Sequence, residues 1–130
     1  ARGAYILRDA EEADAVIVAT GSEVSLALAA RDLLATDAIA VRIVSMPSTT
    51  VFDRQDLSYR RYVLPDHLPR VAVEAGVTDG WWKYGCDAVV GLDSFGESAP
   101  AGVLFRLFGF TAENVADTVR EALRRRAARR

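Results

Sequence analysis

DAVIVAT, residues 14–20, is a run of β-branched and small apolar residues with no alternation of polar and apolar positions. A strand with one wet face shows every second side chain to water. A run without alternation needs cover on both faces, which is the condition of a strand inside a parallel sheet. Three further runs share this character: Ile39–Ser45 (IAVRIVS), Arg70–Ala75 (RVAVEA) and Asp87–Leu92 (DAVVGL). Helical stretches separate them. Val24–Ala35 sets Leu26, Ala27, Ala30, Leu33 and Leu34 at helical spacing, which gives a broad apolar stripe. Val51–Leu64 is helix-compatible and ends before Pro65, because the residue before proline is disfavoured in the α region. Asp79–Tyr84 reads as one short helical turn carrying Trp81, Trp82 and Tyr84.

Strand, helix, strand, helix, strand implies βαβ units with right-handed crossovers. Ala4–Leu7 (AYIL) is a candidate antiparallel edge strand. Two helices are expected to close the chain. The first starts near Pro100 and stops at Gly109; the second opens with Thr111 as N-cap, with Phe110 and Val115 at the two positions of a hydrophobic staple. Val115, Val119, Ala122 and Leu123 form the apolar stripe of the second. The expectation is an α/β fold: one three-layer domain over residues 1–130, with a mostly parallel, about five-stranded sheet and helices on both faces. The basic segment from about residue 124, RRRAARR, is expected as a frayed or disordered tail.

A chain of 130 residues suits one domain, and 51% hydrophobic with 26% charged residues is too apolar for a disordered segment. The formal net charge of −2 gives no overall bias toward nucleic acid or anionic membrane. No apolar run approaches the roughly 20 residues that span a bilayer. Ala1-Arg2-Gly3 has neither an initiator Met nor the pattern of a signal peptide, and reads as the cut end of a longer chain. The single cysteine, Cys86, excludes an intramolecular disulfide and favours a reducing cytoplasm. One cysteine and one histidine do not make a zinc site of the usual kind. His67 lies between Pro65 and Pro69 and reads as a solvent-facing turn residue, and Cys86 as a packed or surface thiol.

Open parallel sheets bind ligands beyond the carboxyl ends of their strands. Four segments meet there: Thr20–Glu23, Ser45–Thr49, Glu74–Gly76 and Asp93–Pro100 (DSFGESAP). Gly21, Ser22, Glu74, Ser94 and Gly96 outline a possible cleft for a regulatory nucleotide or metabolite. The strand–glycine–helix junction at Gly21 lacks the three-glycine dinucleotide fingerprint. Thr20-x-x-Glu23 matches a capping box instead, which would put a carboxylate where an anion should sit. Glu74 ends an apolar strand and reads as a hydrogen-bond acceptor before it reads as a general base. No acid/base pair stands out, so no catalytic, cofactor-binding or metal-ligating residue is assigned. Trp81, Trp82 and Tyr84 are possible interface residues, since aromatics are enriched at interfaces.

The ordered set of motifs resembles the C-terminal domain of transketolases. ATGSE at Ala19–Glu23 is similar to its first βα junction. VSMPS at Val44–Ser48, with Phe52, Gln55, Tyr59 and VLP at Val63–Pro65, is similar to the next stretch. VAVEAG at Val71–Gly76 with Trp82-Lys83-Tyr84 follows, then FGESAP at Phe95–Pro100, Leu104, Phe105 and FGFT at Phe108–Thr111. The resemblance runs from about Gly3 to Leu123. DSFGESAP favours transketolase over deoxyxylulose-phosphate synthases and 2-oxo acid dehydrogenase β subunits, which share this domain. The resemblance implies a homodimeric parent that uses thiamine diphosphate and Mg²⁺ to transfer a two-carbon ketol unit between sugar phosphates in the pentose phosphate pathway. It also implies that domains upstream of this one hold the cofactor. The family's GDG metal motif and its active-site histidines do not occur here, and His67 matches none of them. The domain is therefore expected to be inactive alone, supporting packing and the dimer, with no membrane or nucleic-acid partner.

Overall fold

The computed structural model describes residues 2–21, 23–74, 79–91, 104–107 and 110–129. Their strands are β1 (Tyr5–Arg8), β2 (Ala15–Ala19), β3 (Val41–Ser45), β4 (Arg70–Glu74), β5 (Ala88–Gly91) and β6 (Leu104–Leu107). They form one sheet in the order β1-β3-β2-β4-β5-β6. Every pairing is parallel except β1 with β3, where Tyr5 faces Ser45 across an antiparallel ladder. The unbroken burial of β2 explains its sequence: all five of its residues are buried, because it sits between β3 and β4 with helices on both faces.

Side-chain parity divides the strands between two cores. Ala15, Ile17, Ala19, Val41, Ile43, Val71, Val73, Ala88 and Val90 point to one side. There they meet α1 (Glu23–Ala35) and α4 (Ala112–Ala128), which bury Ala27, Ala30 and Leu34 from the first and Val115, Ala116, Val119 and Ala122 from the second. Leu26, Leu33 and Leu123 pack at the margin of this core. Val16, Val18, Val44, Ala72 and Val89 point to the other side, toward Phe52, Val63, Leu64, Trp81 and Cys86. That side is covered by α2 (Thr49–Asp53), α3 (Leu57–Val63) and the 3₁₀ turn Asp79–Tyr84.

The caps follow side-chain chemistry. Thr111 is extended, and its hydroxyl accepts from the Asn114 N–H at 3.1 Å; Val115 and Phe110 belong to the same apolar cluster, as a staple requires. Ser48 caps α2 by accepting from the Val51 N–H at 3.2 Å.

Three expectations need correction. The single helix over Val51–Leu64 is two helices. The N–H groups of Arg54 and Gln55 bond to Val51 and Phe52 three residues back, closing α2 with a tighter turn before α3 starts after Asp56. Leu104–Leu107, expected inside a helix from Pro100 to Gly109, is β6, in register with β5 from Ala88↔Leu104 to Gly91↔Leu107. It supplies a ladder to the β5 edge, which would otherwise present unpaired N–H and C=O groups, and it makes the sheet six-stranded. Finally, the basic segment from 124 is helical as far as Ala128. Arg126 anchors it through a two-toothed contact with Asp87, Nε–Oδ2 at 2.7 Å and Nη2–Oδ1 at 2.9 Å.

Candidate functional site

At the carboxyl ends of β2 and β4, polar side chains of the described residues pair with one another. The Thr20 hydroxyl donates to Glu74 Oε1 at 3.4 Å, and the Trp81 indole N–H donates to the same oxygen at 3.3 Å. Glu74 is thus an acceptor, as a half-buried carboxylate usually is, with side-chain donors among the described residues. The expected capping box at Thr20 is not the arrangement found. α1 begins at Glu23, and the Glu23 and Val24 N–H groups close turns onto the carbonyls of Thr20 and Gly21 at 3.0 and 3.3 Å. The Glu23 and Val24 N–H groups are therefore already used within this turn. Gly21 has φ +53°, a left-handed conformation that suits glycine. Ser22, Ser94 and Gly96, the remaining residues of the expected cleft, lie outside the described residues. Gly21 and Glu74 flank Thr20 at the strand ends.

Among the aromatic residues, Trp81 is only 3% exposed and belongs to the chain's own core, not to an open interface. Tyr84 is half-buried; its ring meets Phe52 and Trp81 at centroid distances of 6.2 and 5.6 Å. Its hydroxyl donates to Asp53 Oδ1 at 2.8 Å. The Trp82 side chain lies outside the described residues. His67 is exposed in its turn. Cys86 is buried, and burial pushes its thiol up to about 12 from an ordinary 9.0, against a smaller opposing pull from Arg70. That leaves it a packed thiol, inert at neutral pH.

Sequence reasoning missed Arg70. It opens β4 and is 7% exposed, with Nη1 donating to the Tyr84 carbonyl at 2.6 Å and Nη2 to the carbonyls of Pro65 at 2.7 Å and Leu64 at 3.2 Å. Among the described residues its buried Nε has no hydrogen-bond partner. Its ion-pair partner among the described residues is Asp66 Oδ1 at 3.8 Å, from a side chain that is 75% exposed. Burial holds the guanidinium below its ordinary value. Arg70 borders a cleft of about 510 Å³ between α2, α3 and the 3₁₀ turn, which Arg60, Arg61, Lys83, Asp53 and Asp66 also line. The one sequence signal was an arginine heading an otherwise apolar strand.

Among the described residues no three His, Cys, Asp or Glu side chains converge where a metal could sit, and no helix is long and apolar enough to cross a membrane.

Comparison with known proteins gives this arrangement its context. The family model described as "Transketolase-like TK C-terminal domain" matches residues 3–111. The chain is 55% identical over 130 residues to transketolase 2 of Pasteurella multocida, covering 95% of this chain and 20% of that protein. It is 54% identical over 127 residues to transketolase 1 of Vibrio cholerae, covering 19% of it. The chain thus spans about a fifth of the length of these curated relatives. The solved transketolase of Leishmania mexicana aligns with a TM-score of 0.81 at 50% identity, over 95% of this chain and 18% of that one. A split gene transketolase described as an inactive β4 tetramer aligns at 0.68 and 28% identity, covering 95% of this chain and 43% of that one. Neighbours that share both the sheet and half of the residues leave one assignment: the chain belongs to the transketolase-like C-terminal domain family.

Proposed function

We propose that this chain is the C-terminal domain of a cytoplasmic, homodimeric transketolase that transfers a two-carbon ketol unit between sugar phosphates in the pentose phosphate pathway. The domain contributes packing against the upstream domains and support of the dimer; the reacting groups belong to other parts of the parent. The observation that carries this reading is the closed circuit of Thr20, Trp81 and Glu74. Where an open α/β sheet would place its chemistry, the described hydroxyl and carboxylate satisfy each other.

Thiamine diphosphate and its divalent metal do not fit the described residues. No cluster of metal-ligating side chains is present among them, and the Glu23 and Val24 N–H groups beside Gly21 are spent on their own turn. The upstream domains hold the cofactor. Tyr5, Leu57 and Tyr62, which are 48%, 49% and 60% exposed, are the large apolar side chains available to neighbouring domains among the described residues. The split gene relative described as a tetramer supports a tendency to self-associate.

The experiment deletes residues 1–130 from the parent and follows sedimentation and transferase activity across protein concentration. The expected result is a dimer that dissociates at concentrations where the intact parent stays assembled, with activity lost in step with dissociation. A truncated protein that remained dimeric and fully active at low concentration would overturn the proposal.

A further inference from the structure

The cleft beside Arg70 lies at the amino end of β4, away from the Thr20–Glu74 circuit at its carboxyl end, and of the exposed apolar residues assigned above to packing only Leu57 borders it. Its four cationic side chains, Arg60, Arg61, Arg70 and Lys83, face two carboxylates, Asp53 and Asp66. Lys83 and Arg61 hold those carboxylates at 2.7 and 3.6 Å, through side chains that are themselves 56% and 63% exposed. Exposed ion pairs of this kind exchange partners at little cost. Arg70 differs from them. Its side chain is 9% exposed, its Nη atoms are committed to neutral carbonyls, and its Nε has no hydrogen-bond partner among the described residues. A guanidinium stays charged in a protein, so the cleft carries a largely desolvated cation whose ion-pair partner among the described residues, Asp66, stands off at 3.8 Å and is itself 75% exposed.

We propose that this cleft is a binding site for a phosphate-bearing small molecule, with Arg61 and Lys83 as the mobile clamps and Arg70 as the fixed positive floor. Guanidinium groups suit phosphate because several N–H donors meet its oxygens at once. A volume of about 510 Å³ falls within the roughly 300–1,000 Å³ of small-molecule sites and exceeds what a lone phosphate fills. Leu57 and Tyr84 give the cleft an apolar wall, so the occupant is a phosphate monoester whose body bears a ring or chain. The inference rests on the cleft alone and does not require the transferase reading.

The test is calorimetric titration of the full-length parent with inorganic phosphate, with a six-carbon sugar phosphate and with the same sugar unphosphorylated. The Arg61→Ala/Lys83→Ala double variant and Asp66→Asn are titrated alongside. The expected result is a saturable component that weakens at least tenfold in the double variant for both phosphate-bearing compounds. Asp66→Asn should tighten it several-fold, since it removes the carboxylate that shields Arg61 and Arg70. A gain of affinity is not a consequence of misfolding, so this second variant keeps the test decisive. Tighter binding of the ester assigns the site to a phosphorylated metabolite, and equal binding assigns it to free phosphate. Unchanged titrations in the double variant, no tightening in Asp66→Asn, or equal affinity for the unphosphorylated sugar would overturn the proposal.

Discussion

The two faces of the sheet are built from different materials. Under α1 and α4 the buried apolar residues are Ala, Val, Ile and Leu, joined by Thr118 of α4. Under α2 and α3 they include Phe52, Trp81, Met46 and Cys86, and the same face carries the charged strand residues Arg42, Arg70 and Glu74. Helix length accounts for the difference. Helices of 13 and 17 residues lay continuous apolar stripes over the strands and close that face. Helices of five and seven residues cannot, so long side chains with polar ends fill the gaps and tie themselves to free carbonyls. Arg42 donates to the Tyr62 carbonyl at 2.6 Å and Arg70 to those of Leu64, Pro65 and Tyr84. One face gains its stability from close-packed aliphatics, whereas the other combines aromatic contacts with hydrogen bonds and retains a cleft.

The sharpest way to break this contrast is a pair of core truncations. Phe52→Ala should cost about 4 kcal/mol and Leu34→Ala about 3 kcal/mol in urea unfolding. Phe52 fills more volume and also meets the rings of Tyr59 and Tyr84 at 6.4 and 6.2 Å. A larger loss at Leu34 would mean that the aromatic face contributes less than its geometry suggests. Next comes the tie between faces. Arg126→Ala should cost about 2 kcal/mol, because it leaves the Asp87 carboxylate, whose side chain is 9% exposed, without its charged partner. A loss no larger than that of a surface substitution would return the end of α4 to the status of a frayed tail.

A smaller effect separates the faces by pH. Burial raises the Cys86 thiol from 9.0 to about 12. Burial first, then the bond to Asp53, raises Tyr84 from 10.0 to about 12. For groups raised on folding, the stabilising contribution is complete below the unfolded value and is lost as pH climbs to the folded one. Stability should therefore fall from about pH 9 upward, at up to about 1.4 kcal/mol per pH unit for each proton the unfolded chain has released. Cys86→Ala should flatten the first part of that decline, as followed by urea midpoints between pH 8 and 11. An unchanged slope would show that the thiol titrates as it does in water. Least of all, Thr111→Ala should cost about 1 kcal/mol, the usual worth of an N-cap, and should leave the alkaline slope untouched because it acts on the aliphatic face.

Much of the fold was legible because its signals are local. Runs such as DAVIVAT specify buried parallel strands, and Thr111 with Phe110 and Val115 specifies a helix start within six residues. The strand at Leu104–Leu107 was not legible: a four-residue apolar segment carries no period, and only the open edge of β5 decides its state. The break at Gln55 and Asp56 depends in the same way on how α2 and α3 seat against the sheet. At the strand ends, the acceptor role of Glu74 could be read from its position, although its donors Thr20 and Trp81 could not. Arg70 was hidden for a further reason. Its burial is made possible by carbonyls at Leu64, Pro65 and Tyr84 that come together only in the finished fold.

The strand order β1-β3-β2-β4-β5-β6 has a kinetic consequence. No two neighbouring strands are joined by a hairpin: the antiparallel pair is interrupted in sequence by β2, and each parallel pair needs a crossover. None of the sheet can therefore form as a local contact, and such topologies fold slowly because loops must close before any ladder stabilises them. During synthesis β1 and β2 must both wait for β3, so the first two strands made spend the longest time exposed.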